Sequence, residues 1–333
     1  MKQQVAEDIF PKIGIFILNR NGKEWLPPLY DSIRANGYPN GRVYLVDNAS
    51  ADDSVEMTLE RFPEVTVIRM PQNLGYTVAY NLAMPHGFAD GCDWFIWANN
   101  DIRVEPGCLS ELARIARENP AAGVVGPAFL AWENDEANYY ILGNHPYAIQ
   151  AMKSRSPAPI DVEWVEGSFL MVSRCCLEAV GPLDPFFFMY WEEADFCRRA
   201  RFHGWQVLLA PNALVRHYGG GSSEGEQQKM VTANQLQSRN YYIYKLTNPF
   251  QSFSGNLFDF IHLFLTLIRC PFPALIPWAK THARIFAGVL RDIHTIYKKW
   301  DRDRVGGHPP MIKGDILFPK VEVIQGKGIR ISN

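Results

Sequence analysis

Trp94-Phe95-Ile96-Trp97-Ala98-Asn99-Asn100-Asp101-Ile102-Arg103-Val104 is the stretch that decides the fold. Phe95, Ile96 and Trp97 make a short apolar run rich in β-formers, as expected of a strand covered on both faces. Asn99, Asn100 and Asp101 stop it, because their side chains bond the backbone in turns. Open α/β sheets bind ligands at the carboxyl ends of their strands, so Asp101 stands where a ligand would be. A carboxylate there can hold a divalent cation, and the cation a diphosphate. A plain turn after a core strand is the competing reading.

Working outward, the first half repeats this pattern. Ile13 to Leu18 is a continuous apolar run that ends in Asn19-Arg20-Asn21-Gly22. A helix is expected from Trp25 to Ala35. Val43 to Val46 is the second strand, and Asp47-Asn48-Ala49-Ser50 ends it with acceptors before a helix over Val55 to Phe62. Val65 to Arg69 is the third strand. Asn73-Leu74-Gly75 turns into a helix from Tyr76 to Met84. Strands alternating with helices at this spacing imply a mostly parallel sheet with helices on both faces. Asp47 and Asp101 then end strands two and four at one crevice, and an acid after strand two often bonds a nucleotide's base or ribose. Neither a G-x-G-x-x-G fingerprint nor a G-x-x-x-x-G-K-[ST] loop is present, which argues against a dehydrogenase and a P-loop enzyme.

Farther on, Pro106 to Asn119 reads as a helix and Val124 to Leu130 as a short strand. Trp132 to Pro159 loses all periodicity and is expected to be a long surface loop. Val162 to Val172 reads as a strand interrupted by Gly167, a glycine of the kind that lets a backbone approach a ligand. Phe186 to Trp191 are six bulky residues in a row, followed by Glu192-Glu193-Ala194-Asp195. Acids in a first helical turn are favoured by the macrodipole. Three of them behind an aromatic wall exceed what capping needs, and apolar surroundings raise a carboxyl pKa into the range of a general base. Gln206 to Pro211 is another strand. Leu214 to Tyr218 carries His217 into Gly219-Gly220-Gly221, whose bare amides suit phosphate oxygens.

Composition narrows the classes. With 333 residues the chain is long enough for one large domain and an appendage. The net charge of −2 gives no footprint for nucleic acid. Its six cysteines form no C-x-x-C pair, so reduced thiols and the cytoplasm are expected. The N-terminus has no apolar signal region, and no apolar run is long enough to span a bilayer.

Together these residues resemble the inverting, metal-dependent glycosyltransferases of family 2, with the α/β GT-A fold. The nearest branch is similar to the bacterial rhamnosyltransferases of cell-surface polysaccharide assembly. The likeness covers about residues 12 to 245. Val46 to Ser50, Asn73-Leu74-Gly75 and Asn99-Asn100-Asp101 match loosely. The run from Gly181 to Gly204, and its distance to His217, match specifically. The resemblance implies that Asp47 bonds the base, that Asn99-Asn100-Asp101 is the D-x-D motif with Asp101 on the metal, and that His217 completes the metal site. Glu193 holds the general-base position, with Glu192 beside it. Two departures stand out: Asn99 replaces the first acid of D-x-D, and Glu193 replaces the usual Asp.

The candidate donor-binding residues are therefore Asn19, Asp47, Asn73, Gly75, Asn99, Asn100, Gly167 and Asp195. The expected cofactor is Mn²⁺ or Mg²⁺, the donor a nucleotide-sugar, most simply dTDP-rhamnose, with UDP-sugars the alternative. The acceptor is a glycan or lipid-linked precursor. A nucleotidyltransferase is the nearest rival enzyme, but Asn19 to Gly22 is too short for its triphosphate loop. A non-catalytic sugar-nucleotide scaffold needs neither Glu193 nor Asp101.

The expected domains are 1–245 (catalytic), 246–300 (helical) and 301–333 (tail). In the second, an apolar helix over Asn256 to Arg269 precedes a basic amphipathic helix over Trp278 to Trp300. That pair resembles an interfacial anchor, placing the chain peripherally on the inner face of the cell membrane. The alternative is a pair packed on the catalytic domain or between copies in a homo-oligomer.

Overall fold

The computed structural model describes residues 10–134 and 156–219, with 234, 235, 238, 239, 241, 242 and 245. The expected helices over 256–269 and 278–300, the tail over 301–333, and most of the 132–159 loop lie outside the described residues. Among the described residues, no helix is long and apolar enough to cross a membrane.

The chain divides into two compact units, one of Met1–Phe186, Glu192–Ser222 and Lys313–Asn333, the other of Phe187–Trp191 and Ser223–Ile312. The described part of the first unit is an α/β sheet with flanking helices. Its elements run β1 (Ile13–Asn19), α1 (Leu26–Ala35), β2 (Gly41–Asp47), α2 (Ser54–Arg61), β3 (Thr66–Arg69), α3 (Gly75–Ala89), β4 (Trp94–Asn99) and β5 (Ile102–Val104). Then come α4 (Cys108–Glu118), β6 (Ala122–Leu130), β7 (Ile160–Asp161), β8 (Phe169–Ser173), α5 (Arg174–Val180), α6 (Glu192–Phe202) and β9 (Gln206–His217).

The nine strands form one sheet in the order β3-β2-β1-β4-β8-β6-β9-β5, with β7 paired to β9. β1 runs parallel to β2 and β4, β2 to β3, and β6 to β9. β8 is antiparallel to both β4 and β6, so its first residues meet the carboxyl ends of its neighbours on one rim. Phe95, Ile96 and Trp97 are fully buried, as two covered faces require. Burying each such side chain stabilises by roughly 1.5–3 kcal/mol.

Two elements differ from the sequence reading. Helix α3 does not stop at Met84 but runs through Pro85 to Ala89. A proline forfeits one helical bond; burial of Tyr80, Leu82, Ala83 and Met84 before it and of Gly87 after it holds the helix. Gly87 lets the helix lie close to the sheet, since a Cβ there would stand 2.7 Å from Phe95 and 2.8 Å from Phe16. The expected strand over Val162 to Val172 is also shorter. Pairing with β4 begins at Phe169 opposite Ala98. Gly167 therefore sits on the rim ahead of the strand, not inside it.

In the second unit, Ser238 Oγ donates to the Met189 carbonyl at 2.8 Å. The Phe187 and Tyr241 rings lie 4.9 Å apart, with the Lys245 ammonium 5.6 Å from each.

Candidate active site

The rim gathers its polar residues because strands β1, β2, β4 and β9 end there. At the end of β1, the Asn19 side-chain amide donates to Ser54 Oγ at 3.0 Å, Ser50 Oγ at 3.1 Å and Asp47 Oδ1 at 3.4 Å. Its oxygen accepts from Asn100 Nδ2 at 2.8 Å. Asn19 thus ties the ends of β1, β2 and β4 into one buried network. Gly22 makes room for it: a Cβ there would fall 2.0 Å from Asn100 Nδ2 and 2.3 Å from Asn19 Oδ1.

Beside it, Asn48 organises the entry to α3. Its Nδ2 donates to Asn73 Oδ1 at 2.9 Å and to the Gly75 carbonyl at 3.1 Å, and its Oδ1 accepts from the Leu74 N–H at 2.8 Å. Asn73 Oδ1 also accepts from the Gly75 N–H. Asn73 and Gly75, picked as donor-binding residues, hold this turn together in the chain as described.

Asp101 and His217 meet through backbone pairing. β5 starts one residue after Asp101 and runs antiparallel to β9, with Ile102 opposite His217. The Tyr218 N–H donates to the Asp101 carbonyl at 3.0 Å. These constraints put His217 Nε2 3.3 Å from Asp101 Oδ1. Burial works against a charged His217, but the Asp101 hydrogen bond and charge, with Glu166, outweigh it and raise its pKa.

The pair offers one carboxylate oxygen and one imidazole nitrogen. Among the described residues, no group of three or more His, Cys, Asp or Glu side chains is placed to hold a metal ion. Asp101 and His217 would hold a cation only if other ligands, such as phosphate oxygens or water, completed its shell. Asn99 adds no carboxylate; its backbone N–H donates to the Ser168 carbonyl at 2.9 Å.

The acids at the head of α6 are the second feature. Glu192 is 3% exposed, and the Oε2 atoms of Glu192 and Glu193 are buried without a hydrogen-bond partner. Burial first, and the charge of Glu166 second, push the Glu193 carboxyl up to about 8. Glu192 is raised well above the ordinary range by burial and then by Glu193. Gly167 lies against the Glu193 side chain, and its carbonyl accepts from Tyr76 Oη at 2.5 Å.

Asp195 has a different setting. It accepts from Arg199 Nε at 2.9 Å, and Arg199 also donates to the Val180 and Pro182 carbonyls. This buried pair ties α6 to the segment after α5.

Glu166 was not picked from the sequence. It is raised by burial and opposed by His217, and it acts on Glu192 and Glu193 as well. Its charge is felt by the imidazole and by both α6 carboxylates. The signal was the second of two acids in the run from Val162 to Val172, directly before a glycine.

Comparison with known proteins agrees with this geometry. Residues 13–170 match the sequence model of glycosyl transferase family 2. Over that stretch the chain is similar to the family 2 glycosyltransferases. The chain is 29% identical over 220 residues to the N-acetylglucosaminyl-diphospho-decaprenol L-rhamnosyltransferase of Mycobacterium tuberculosis, covering 58% of this chain and 71% of that one. It is 24% identical over 189 residues to the dTDP-rhamnosyl transferase RfbF of Shigella flexneri, covering 55% and 62%. Among solved structures, the mannosyltransferase PcManGT of Pyrobaculum calidifontis, in complex with GDP-Man and Mn²⁺, superposes with a TM-score of 0.52 at 14% identity, over 85% of this chain and 87% of that one. That likeness gives this chain the same fold. Among the described residues, Cys92, Cys108, Cys175, Cys176 and Cys197 are free cysteines.

Proposed function

We propose that this chain moves L-rhamnose from dTDP-rhamnose to a hydroxyl of a glycan or lipid-linked precursor, with inversion at the anomeric carbon. The observation that carries the reading is one rim that holds both the Asp101–His217 pair and a half-buried Glu193 with a raised pKa. The rhamnosyltransferase names of two relatives support the sugar, and one of those names supports a lipid-diphosphate acceptor.

In this reading Asp47, with Asn19 behind it, receives the base of the donor. Asp101 and His217 would hold Mn²⁺ or Mg²⁺, and the nitrogen ligand favours Mn²⁺. When bound, the cation neutralises the charge that grows on the departing diphosphate. Glu193 accepts the proton of the acceptor hydroxyl, and that oxygen attacks from the face opposite the diphosphate. A carboxyl near pKa 8 is matched to this work at neutral pH. Glu192, held neutral by burial, leaves Glu193 as the group that ionises first. Asp195 is left out of the donor set, because its partner is Arg199. Peripheral membrane association would bring the chain to a lipid-linked acceptor.

The test is transfer itself. The full chain is incubated with Mn²⁺, a short-chain N-acetylglucosaminyl diphosphoprenol, and in turn dTDP-rhamnose, UDP-galactose, UDP-N-acetylglucosamine and GDP-mannose. Product mass names the donor, and proton NMR of the new linkage reads its configuration. A product formed only from a UDP-sugar would replace the rhamnose assignment. A retained configuration would remove Glu193 as the base of a single displacement.

A further inference from the structure

Three aromatic rings from distant parts of the chain meet beside the Asp101–His217 pair. Trp25 precedes α1, Trp132 follows β6, and Tyr218 follows His217 directly. The Trp25 ring lies 4.5 Å from Tyr218 and 5.9 Å from Trp132, and Trp132 lies 5.8 Å from Tyr218. The Arg103 guanidinium stands 5.5 Å from the Trp132 ring. The cluster is not a piece of core. Tyr218 is 50% exposed, while its backbone is fixed to Asp101 at 3.0 Å. The Trp25 indole N–H is buried and has no acceptor. A donor left unmatched beside an open aromatic face is what a ligand oxygen would complete.

We propose that Trp25, Trp132 and Tyr218 form the shelf on which a pyranose ring of the acceptor glycan stacks. A sugar presents C–H bonds on its faces and hydroxyls around its edge. The faces pack on the rings, and the edge meets the Trp25 N–H and the Arg103 guanidinium. A nucleobase could also stack here, but the position favours the acceptor. Asn19 and Asp47 end β1 and β2, on one side of β4 in the sheet order, whereas Trp132 and Tyr218 follow β6 and β9 and Arg103 lies on β5, on the other, with Trp25 reaching them from the turn after β1. The assignment rests on the transfer reading above, since it takes its acceptor from it.

The full chain, wild type, Tyr218→Ala, Tyr218→Phe and Trp132→Ala, is applied to an array of rhamnose-, galactose- and N-acetylglucosamine-terminated glycans with dTDP and Mn²⁺. Affinity for dTDP is measured on each protein by calorimetry. The wild type and Tyr218→Phe are expected to retain a glycan, and the two alanine variants to lose about tenfold in retention, with dTDP affinity held. Equal retention by the alanine variants, or none by a wild type that binds dTDP, overturns the shelf. Loss of dTDP affinity in Tyr218→Ala would make it a nucleobase platform instead. A wild type that binds neither dTDP nor any other nucleoside diphosphate contradicts the transfer reading, and the shelf with it.

Discussion

Glu193 lies flat against the backbone of Gly167: a Cβ built on that glycine would stand 3.3 Å from the Cβ, Cγ and Cδ of Glu193. The contact is tight enough that any side chain at 167 must displace the carboxylate by a few tenths of an ångström. Gly167→Ala is therefore expected to lower kcat by about tenfold, because misplacement of a reacting group is costly. Nucleotide affinity should stay close to wild type. Steady-state kinetics beside a nucleotide titration separates the two. An unchanged kcat would mean that Glu193 has slack or does no proton transfer.

The raised Glu193 pKa gives activity and stability opposite pH dependences. A base must be ionised, so kcat/KM should climb with pH through about 8. The folded chain keeps a proton that the unfolded chain gives up near the ordinary value of 4.5, so stability falls as pH rises between 4.5 and about 8. Glu166→Gln removes the charge that is the second cause of the shift. Its rate profile should begin to rise at lower pH, and its Tm should fall less between pH 5 and 8. A rising limb that does not move in Glu166→Gln would mean burial alone sets the value.

Gly22→Ala tests the polar network of the rim. The added methyl would have to displace Asn100 Nδ2 and Asn19 Oδ1, which bond each other at 2.8 Å. Overpacking of this kind costs about 1–3 kcal/mol. A denaturant melt should show that loss, with weaker nucleotide binding. Wild-type stability would show that the Asn19–Asn100 bridge can shift without cost.

Asp195 and Arg199 provide a control. Removing one partner of a buried pair costs about 3–5 kcal/mol. Asp195→Ala should thus lower Tm sharply. A weaker donor affinity with unchanged Tm would instead return Asp195 to the binding site.

The strand-end rule placed Asp47 and Asp101 correctly from the sequence, because apolar runs that end in Asp or Asn are local signals. Glu192 and Glu193 were also legible, since an aromatic run followed by acids is itself unusual. The partnership of Asp101 with His217 was not local. It depends on the three-residue strand β5 pairing with the end of β9, and so short a strand carries no periodicity. From the sequence Gly167 reads as lying inside a strand, because Val162 to Val172 is apolar enough to look like continuous pairing. Only β4, which β8 joins at Phe169, shows where the strand begins. Trp25 and Trp132 became interpretable once Tyr218 was placed between them.

The most direct measurement is a thermal-shift comparison of wild type and Asp101→Ala with dTDP-rhamnose, each with and without Mn²⁺. A ligand at a hundredfold its Kd stabilises by about 2.7 kcal/mol. The expected result is a rise in Tm for the wild type only when donor and Mn²⁺ are both present, and none for Asp101→Ala. A donor shift of equal size in both proteins, indifferent to Mn²⁺, would contradict the claim that Asp101 and His217 hold the diphosphate through a cation.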